Sequence, residues 1–131
     1  MTKNKYYIIL IFLFGLTLNA KNQNFEGRQT VGEKYAKEIL TESLKDTTKN
    51  YIIHTPLTQL KDKDTTIIIA EDILFKMYGS KMIKNERPYE CYLLDNYWVI
   101  MGTLPINTDG GTFTIILDAR NCKIIRVTHG Q

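Results

Sequence analysis

Glu86-Arg87-Pro88-Tyr89-Glu90-Cys91-Tyr92-Leu93-Leu94-Asp95-Asn96-Tyr97-Trp98-Val99-Ile100-Met101-Gly102 is the stretch on which the fold turns. Two arms rich in β-formers flank Asp95-Asn96, a pair that tolerates the positive φ angles of a tight type I′ turn. With those two residues as the whole loop, Leu94 faces Tyr97, Leu93 faces Trp98, Tyr92 faces Val99, Cys91 faces Ile100 and Glu90 faces Met101. Side chains alternate across a strand, so this register sorts them into two faces. Tyr89, Cys91, Leu93, Trp98 and Ile100 form a wholly apolar face, which calls for cover from the same chain. Glu90, Tyr92, Leu94, Tyr97, Val99 and Met101 form the other, too apolar for an ordinary solvated surface. Either the N-terminal leader or a second copy covers this face, or a partner docks there, with Tyr92, Tyr97, Leu94, Val99 and Met101 as anchors and Glu90 and Asp95 adding charge selectivity at the rim.

Upstream of the hairpin the apolar spacing is helical. Val31, Tyr35, Ile39, Leu40 and Leu44 predict a first helix from Thr30 or Gly32 to Lys45. Ile67, Ala70, Ile73, Leu74, Met77 and Tyr78 predict a second, capped by Asp64 or Thr65 and stopped by Gly79, with a further turn over 80–84. Tyr51-Ile52-Ile53 is an edge strand or extended chain ahead of His54-Thr55-Pro56. Downstream, alternation predicts strands near 112–117 and 123–128. A four-residue loop from Asp118 to Asn121 pairs Leu117 with Cys122, Ile115 with Ile124 and Phe113 with Arg126. Phe113, Ile115, Leu117 and Ile124 then belong to the core, unless a bulge at Asn121 inverts the last strand. Helices first and strands afterwards indicate an α+β domain: two N-terminal helices on one face of a curved antiparallel sheet of about four strands.

The chain has 131 residues, room for one domain. Lys3 and Lys5 precede an apolar run from Tyr6 to Leu18 and then Asn19-Ala20, the order of a secretory signal. The run is short of the roughly twenty residues that span a bilayer, so we expect cleavage after Ala20 rather than a retained anchor, and a periplasmic or secreted product. Residues 21–29 read as a flexible leader and 30–131 as the domain. Seventeen basic residues become fifteen once Lys3 and Lys5 leave, against fourteen acidic ones, for a formal charge of about +1. Lys61, Lys63 and Lys76 are interspersed with Asp62, Asp64 and Asp72, so no basic stripe suited to nucleic acid remains.

Cys91 and Cys122 are the only pair that could form a disulfide. In a simple meander they lie three strand spacings apart, about 14 Å, beyond the roughly 7 Å a disulfide spans. Two buried thiols are favoured over a bridge, which a strongly curled sheet or another strand order would restore. His54 and His129 stand far from each other and from the cysteines, so no metal site is expected; His54 reads as a loop residue and His129 as an exposed strand end. Asp109-Gly110-Gly111 lacks the lysine and strand-to-helix setting of a phosphate loop and reads as a turn. No cofactor is implied. An enzymatic alternative is a pocket in which Glu71, Asp72 or Glu90 works with Tyr78, Tyr92 or Tyr97, although periodicity places Glu71 and Asp72 beside the apolar stripe.

Ile69-Ala70-Glu71-Asp72-Ile73-Leu74 through Tyr78-Gly79, Glu86-Arg87-Pro88-Tyr89, Tyr97-Trp98-Val99-Ile100-Met101-Gly102-Thr103-Leu104-Pro105, Gly110-Gly111-Thr112-Phe113 and Ile124-Ile125-Arg126-Val127-Thr128-His129-Gly130 come in an order that resembles the NTF2-fold immunity proteins of bacterial toxin systems. The likeness spans roughly residues 65 to 130. It implies an NTF2-like, cystatin-like α+β protein that neutralises a cognate toxin by occluding it, with no catalytic motif to transfer. A small-ligand binder or pocket enzyme of the same architecture in the cell envelope is the alternative, and an envelope structural protein a third.

Overall fold

The computed structural model describes residues 23–46, 48 and 57–131. The expected signal and its cleavage point, Tyr51-Ile52-Ile53 and His54 lie outside the described residues.

The hairpin forms as its turn dictates. β2 (Glu90–Leu94) and β3 (Tyr97–Met101) pair antiparallel in the expected register, Glu90 with Met101 through Leu94 with Tyr97. Asp95 and Asn96 carry φ angles of 46° and 65°, the left-handed pair that a type I′ turn requires. β5 (Phe113–Asp118) and β6 (Ile124–His129) extend the sheet in the order β2-β3-β5-β6.

Helices cover both faces of this sheet, which corrects the expectation of two helices on one side. α2 (Lys63–Tyr78) and α3 (Ser80–Asn85) build a core with Ala70, Ile73, Leu74 and Ile83 against Tyr89, Trp98, Ile100, Phe113, Ile115 and Leu117. α1 (Gly32–Lys45) closes the opposite face, where Ala36 and Leu40 meet Leu94, Val99, Met101 and Ile116. The alternation of Val99 with Ile100 and of Ile115 with Ile116 divides each strand between two buried layers. A sheet apolar on both sides must be covered on both.

α1 sits on a narrower face than its large residues suggested. Ala36, Leu40 and Ser43 are buried, while Val31, Tyr35 and Leu44 are 54%, 44% and 42% exposed. The small side chains at 36 and 43 let the helix backbone approach the strands, and Ser43 satisfies its hydroxyl by donating to the Ile39 carbonyl at 2.6 Å. α2 is capped two to three residues earlier than expected, by Asp62 in place of Asp64 or Thr65: Asp62 accepts from the Thr65 amide at 2.8 Å. Gly79, at φ 89°, ends it as foreseen and returns its amide to the Phe75 carbonyl.

Two further corrections concern the last strand and the leader. β6 pairs Leu117 with Ile124 but Ile116 with Arg126, so the irregularity falls at Ile125, not Asn121. The offset keeps Ile124 in the α2-side core and brings Val127 into it, while Arg126 crosses to the α1 side, donating to Ser43 Oγ at 3.3 Å and facing Glu42 at 3.8 Å. Within the expected flexible leader, Arg28–Gln29 forms β1, paired with β4 (Leu104–Pro105). The Arg28 guanidinium donates to Thr103 Oγ1 at 3.0 Å, to the Thr103 carbonyl at 2.6 Å and to the Asn85 carbonyl at 3.0 Å. That many directed bonds hold the segment in one place.

Candidate protein-binding surface

Of the residues expected on a free docking face, most are covered by α1. Val99 and Met101 are buried beneath the helix, and Leu94 is only 9% exposed. Glu90, expected as a rim charge, is 2% exposed and has a structural task. Its carboxylate accepts from the amides of Val31 at 2.9 Å and Gly32 at 2.8 Å and from the Tyr92 hydroxyl at 3.0 Å. Val31, at the N-cap of α1, offers no side-chain cap. Glu90 therefore supplies from the sheet the negative partner that the first amides of a helix need.

What remains accessible is the margin of that layer. Tyr92, Tyr97, Ile39 and Ile125 pack against it while partly exposed. Loss of water around the ring and the nearby Glu90 carboxylate push the Tyr92 hydroxyl up to about 12. Asp95 lies exposed in the turn. Arg120 stands 5.5 Å over the Tyr97 ring and donates to its hydroxyl at 3.1 Å. The Asp118 carboxylate orients that guanidinium by accepting from its Nε and Nη2, each at 2.9 Å, and the same bonds hold Asp118 below the usual carboxylate range.

The segments that carry the family likeness meet in a buried polar scaffold instead of a catalytic centre. Glu86, 3% exposed, accepts from the Phe113 amide at 2.8 Å and pairs with His129 Nε2. His129, expected as a solvent-exposed strand end, instead has its ring held between this carboxylate and the Tyr78 ring, 5.2 Å away. Gly102 leaves the space that Glu86 occupies: a Cβ there would land on Glu86 Oε2. Thr103 returns its amide to the Glu86 carbonyl at 2.9 Å and its hydroxyl to the Pro88 carbonyl at 2.7 Å. Glu86 and His129 are 43 residues apart and Arg28 and Thr103 are 75 apart, so no local pattern announced either pair.

A second acid lies at the mouth of a groove on the α2 side. Glu71 Oε1 accepts from Arg87 Nε at 2.7 Å, from Arg87 Nη2 and from the Tyr89 hydroxyl at 2.7 Å. Burial and the bond to Glu71 push the Tyr89 hydroxyl well above its usual range. Gln23, Ile67, Glu71, Arg87, Pro88 and Tyr89 line the groove, about 410 Å³ in volume, and the Arg87–Pro88 bond is cis. Asp72, exposed, pairs with Lys76 at 2.9 Å. Glu71 and Glu90 are thus each held by several donors, and neither stands as an unengaged base in an apolar pocket.

Cys91, half-buried on β2, and Cys122, buried between β5 and β6, are both free thiols. Burial pushes the Cys91 thiol up to about 12, against the opposing pull of the Lys63 ammonium. Among the described residues no group of histidine, cysteine, aspartate or glutamate is arranged to hold a metal, and no helix is long and apolar enough to cross a membrane.

Comparison with known proteins agrees with this architecture. Over 75 residues the chain is 32% identical to the uncharacterized protein YhhH of Escherichia coli (strain K12), covering 55% of this chain and 58% of that protein. It is 29% identical over 73 residues to the uncharacterized protein YbbC of the same organism, covering 55% and 60%. The matches thus span less than two thirds of the curated relatives' length. No solved structure matches the chain. The family model for NTF2 fold immunity proteins matches residues 65–131, which takes in α2 but for its first two residues, α3, the whole four-stranded sheet and the Glu86–His129 scaffold. The chain belongs to the NTF2 fold immunity protein family.

Proposed function

We propose that this protein is an exported, non-catalytic immunity protein that binds a cognate toxin domain and neutralises it by occlusion. The observation that carries this is the state of its acids. In a chain of an immunity family, Glu71, Glu86 and Glu90 are engaged by Arg87 and Tyr89, by His129 and the Phe113 amide, and by the start of α1. Side chains tied into scaffolding serve a rigid binding body better than a proton-transfer site. Rigidity itself favours inhibition by burial, because a preorganised surface spends little free energy on ordering.

The lysine-flanked apolar run at residues 6–18 supports export, which places the encounter in the periplasm or outside the cell. The test is co-expression with candidate toxin domains from neighbouring genes, with and without residues 1–20. Protection that depends on the leader supports the envelope assignment. Equal protection without it would overturn that assignment, and no protection by either form would overturn the immunity function.

A further inference from the structure

β2 is an edge strand, paired with β3 on one side only among the described residues. In a two-residue hairpin the residues flanking the loop exchange backbone hydrogen bonds, and bonded and non-bonded pairs alternate from there. Leu94 with Tyr97, Tyr92 with Val99 and Glu90 with Met101 are the bonded pairs; Cys91 and Leu93 aim their N–H and C=O groups away from β3. Among the described residues none bonds those outward groups. The side chains agree with an open margin: Trp98, the cross-strand neighbour of Leu93, is 6% exposed and donates to the Leu60 carbonyl at 2.9 Å, whereas Leu93 is 52% exposed. The cover of the α2-side core ends between these two neighbours.

The same margin carries charge and shape. Lys63 is half-buried within electrostatic reach of Cys91 and donates to the neutral amide of Gln23 at 2.8 Å. Tyr89, immediately before β2 and on the same face as Cys91 and Leu93, lines the 410 Å³ groove together with Ile67 and Pro88.

Resting on the immunity function above, we propose that the partner docks by strand addition: an extended segment of the toxin pairs with the outer edge of β2. Its side chains on the α2 side would alternate, apolar ones meeting Leu93 and the groove beside Tyr89 and a carboxylate facing Lys63. Main-chain bonds supply affinity in this mode of recognition, and the alternate side chains supply selectivity. The proposal moves the contact from the sheet face, which α1 occupies, to the sheet edge.

The test uses the full chain and a purified candidate toxin domain from a neighbouring gene. Leu93→Pro deletes an N–H that points away from β3 and leaves the hairpin ladder whole. Leu93→Lys sets a charge on the edge. Each is expected to weaken binding by about tenfold or more, the scale of one or two lost main-chain bonds, and Lys63→Glu to weaken it in a salt-dependent way. Amide exchange adds a direct readout: the Cys91 and Leu93 amides slow on complex formation. Should Leu93→Pro fail to fold, Leu93→Lys and the exchange data decide. Binding by wild type, with both Leu93 variants within about twofold and no slowing at 91 and 93, would overturn edge docking and leave the immunity function standing. A toxin-free dimer that Leu93→Lys dissolves would assign the edge to a second copy, and Cys91 and Leu93 amides already slow in the free monomer would assign it to the chain's own residues 51–53; either result overturns the proposal. A wild-type chain that neither binds nor protects overturns both.

Discussion

Replacing Glu90 tests the correction that matters most, its change from a binding residue to the anchor of α1. The side chain is 2% exposed and accepts three hydrogen bonds, two of them from the backbone where α1 begins. Glu90→Gln keeps one oxygen but sets an amide NH2 against a backbone N–H. One charge-assisted bond is lost, worth about 1.5–3 kcal/mol, together with about 0.3–1 kcal/mol of attraction to the positive end of the helix. The expected cost is roughly 2–4 kcal/mol. Glu90→Ala strands all three donors and is expected at the upper end of single-residue effects, about 4–5 kcal/mol. Urea denaturation measures both, and at about 4–8 °C per kcal/mol for a domain near this size the Gln variant should melt about 8 °C lower or more. Amide exchange localises the damage: α1 amides should exchange faster while those of β5 keep their protection, because the second core layer opens first. A Gln variant within about 0.5 kcal/mol of wild type, or uniform loss of protection, would refute the anchoring role.

Gly102→Ala drives a methyl into the Glu86 carboxylate and is expected to cost about 2–3 kcal/mol or more by denaturant titration; a Tm unchanged within error would contradict the packing described. Asp118 is held below the usual carboxylate range by Arg120, so the folded chain binds its proton less readily than the unfolded one. The stability it contributes is present above about pH 4, the unfolded value, and fades as pH falls further. The Tm gap between wild type and Asp118→Asn should accordingly be open at neutral pH and close in acid, and a gap constant with pH would count against this pairing.

How much of this was legible depended on the range of the signal. The β2–β3 register was readable because Asp95-Asn96 fixes it locally and a one-residue slip would exchange the faces. The layering was not. Tyr92, Leu94, Val99 and Met101 were correctly seen as too apolar for solvent, but the cover came from α1, whose contact face is the inconspicuous Ala36, Leu40 and Ser43. Large residues such as Tyr35 dominate a periodicity argument even when tight packing selects the small ones. The shift at Ile125 has no turn residue to mark it, so the expected pairs of Leu117 with Cys122, Ile115 with Ile124 and Phe113 with Arg126 give way to Leu117 with Ile124, Ile115 with Val127 and Phe113 with His129. Glu86 and His129 were each unremarkable in isolation, and only the folded sheet end brings them together.

The tie between Glu90 and the first amides of α1 reaches across 58 and 59 positions, and this separation orders events during synthesis. When α1 emerges from the ribosome, its seat does not yet exist; Leu40 has nowhere to go until the hairpin and β5 have followed. Long-range closures of this kind are slow to form. A nascent chain so built keeps α1 undocked through most of its production, and the α1 side of the sheet acquires its final shape only after the last strands are free.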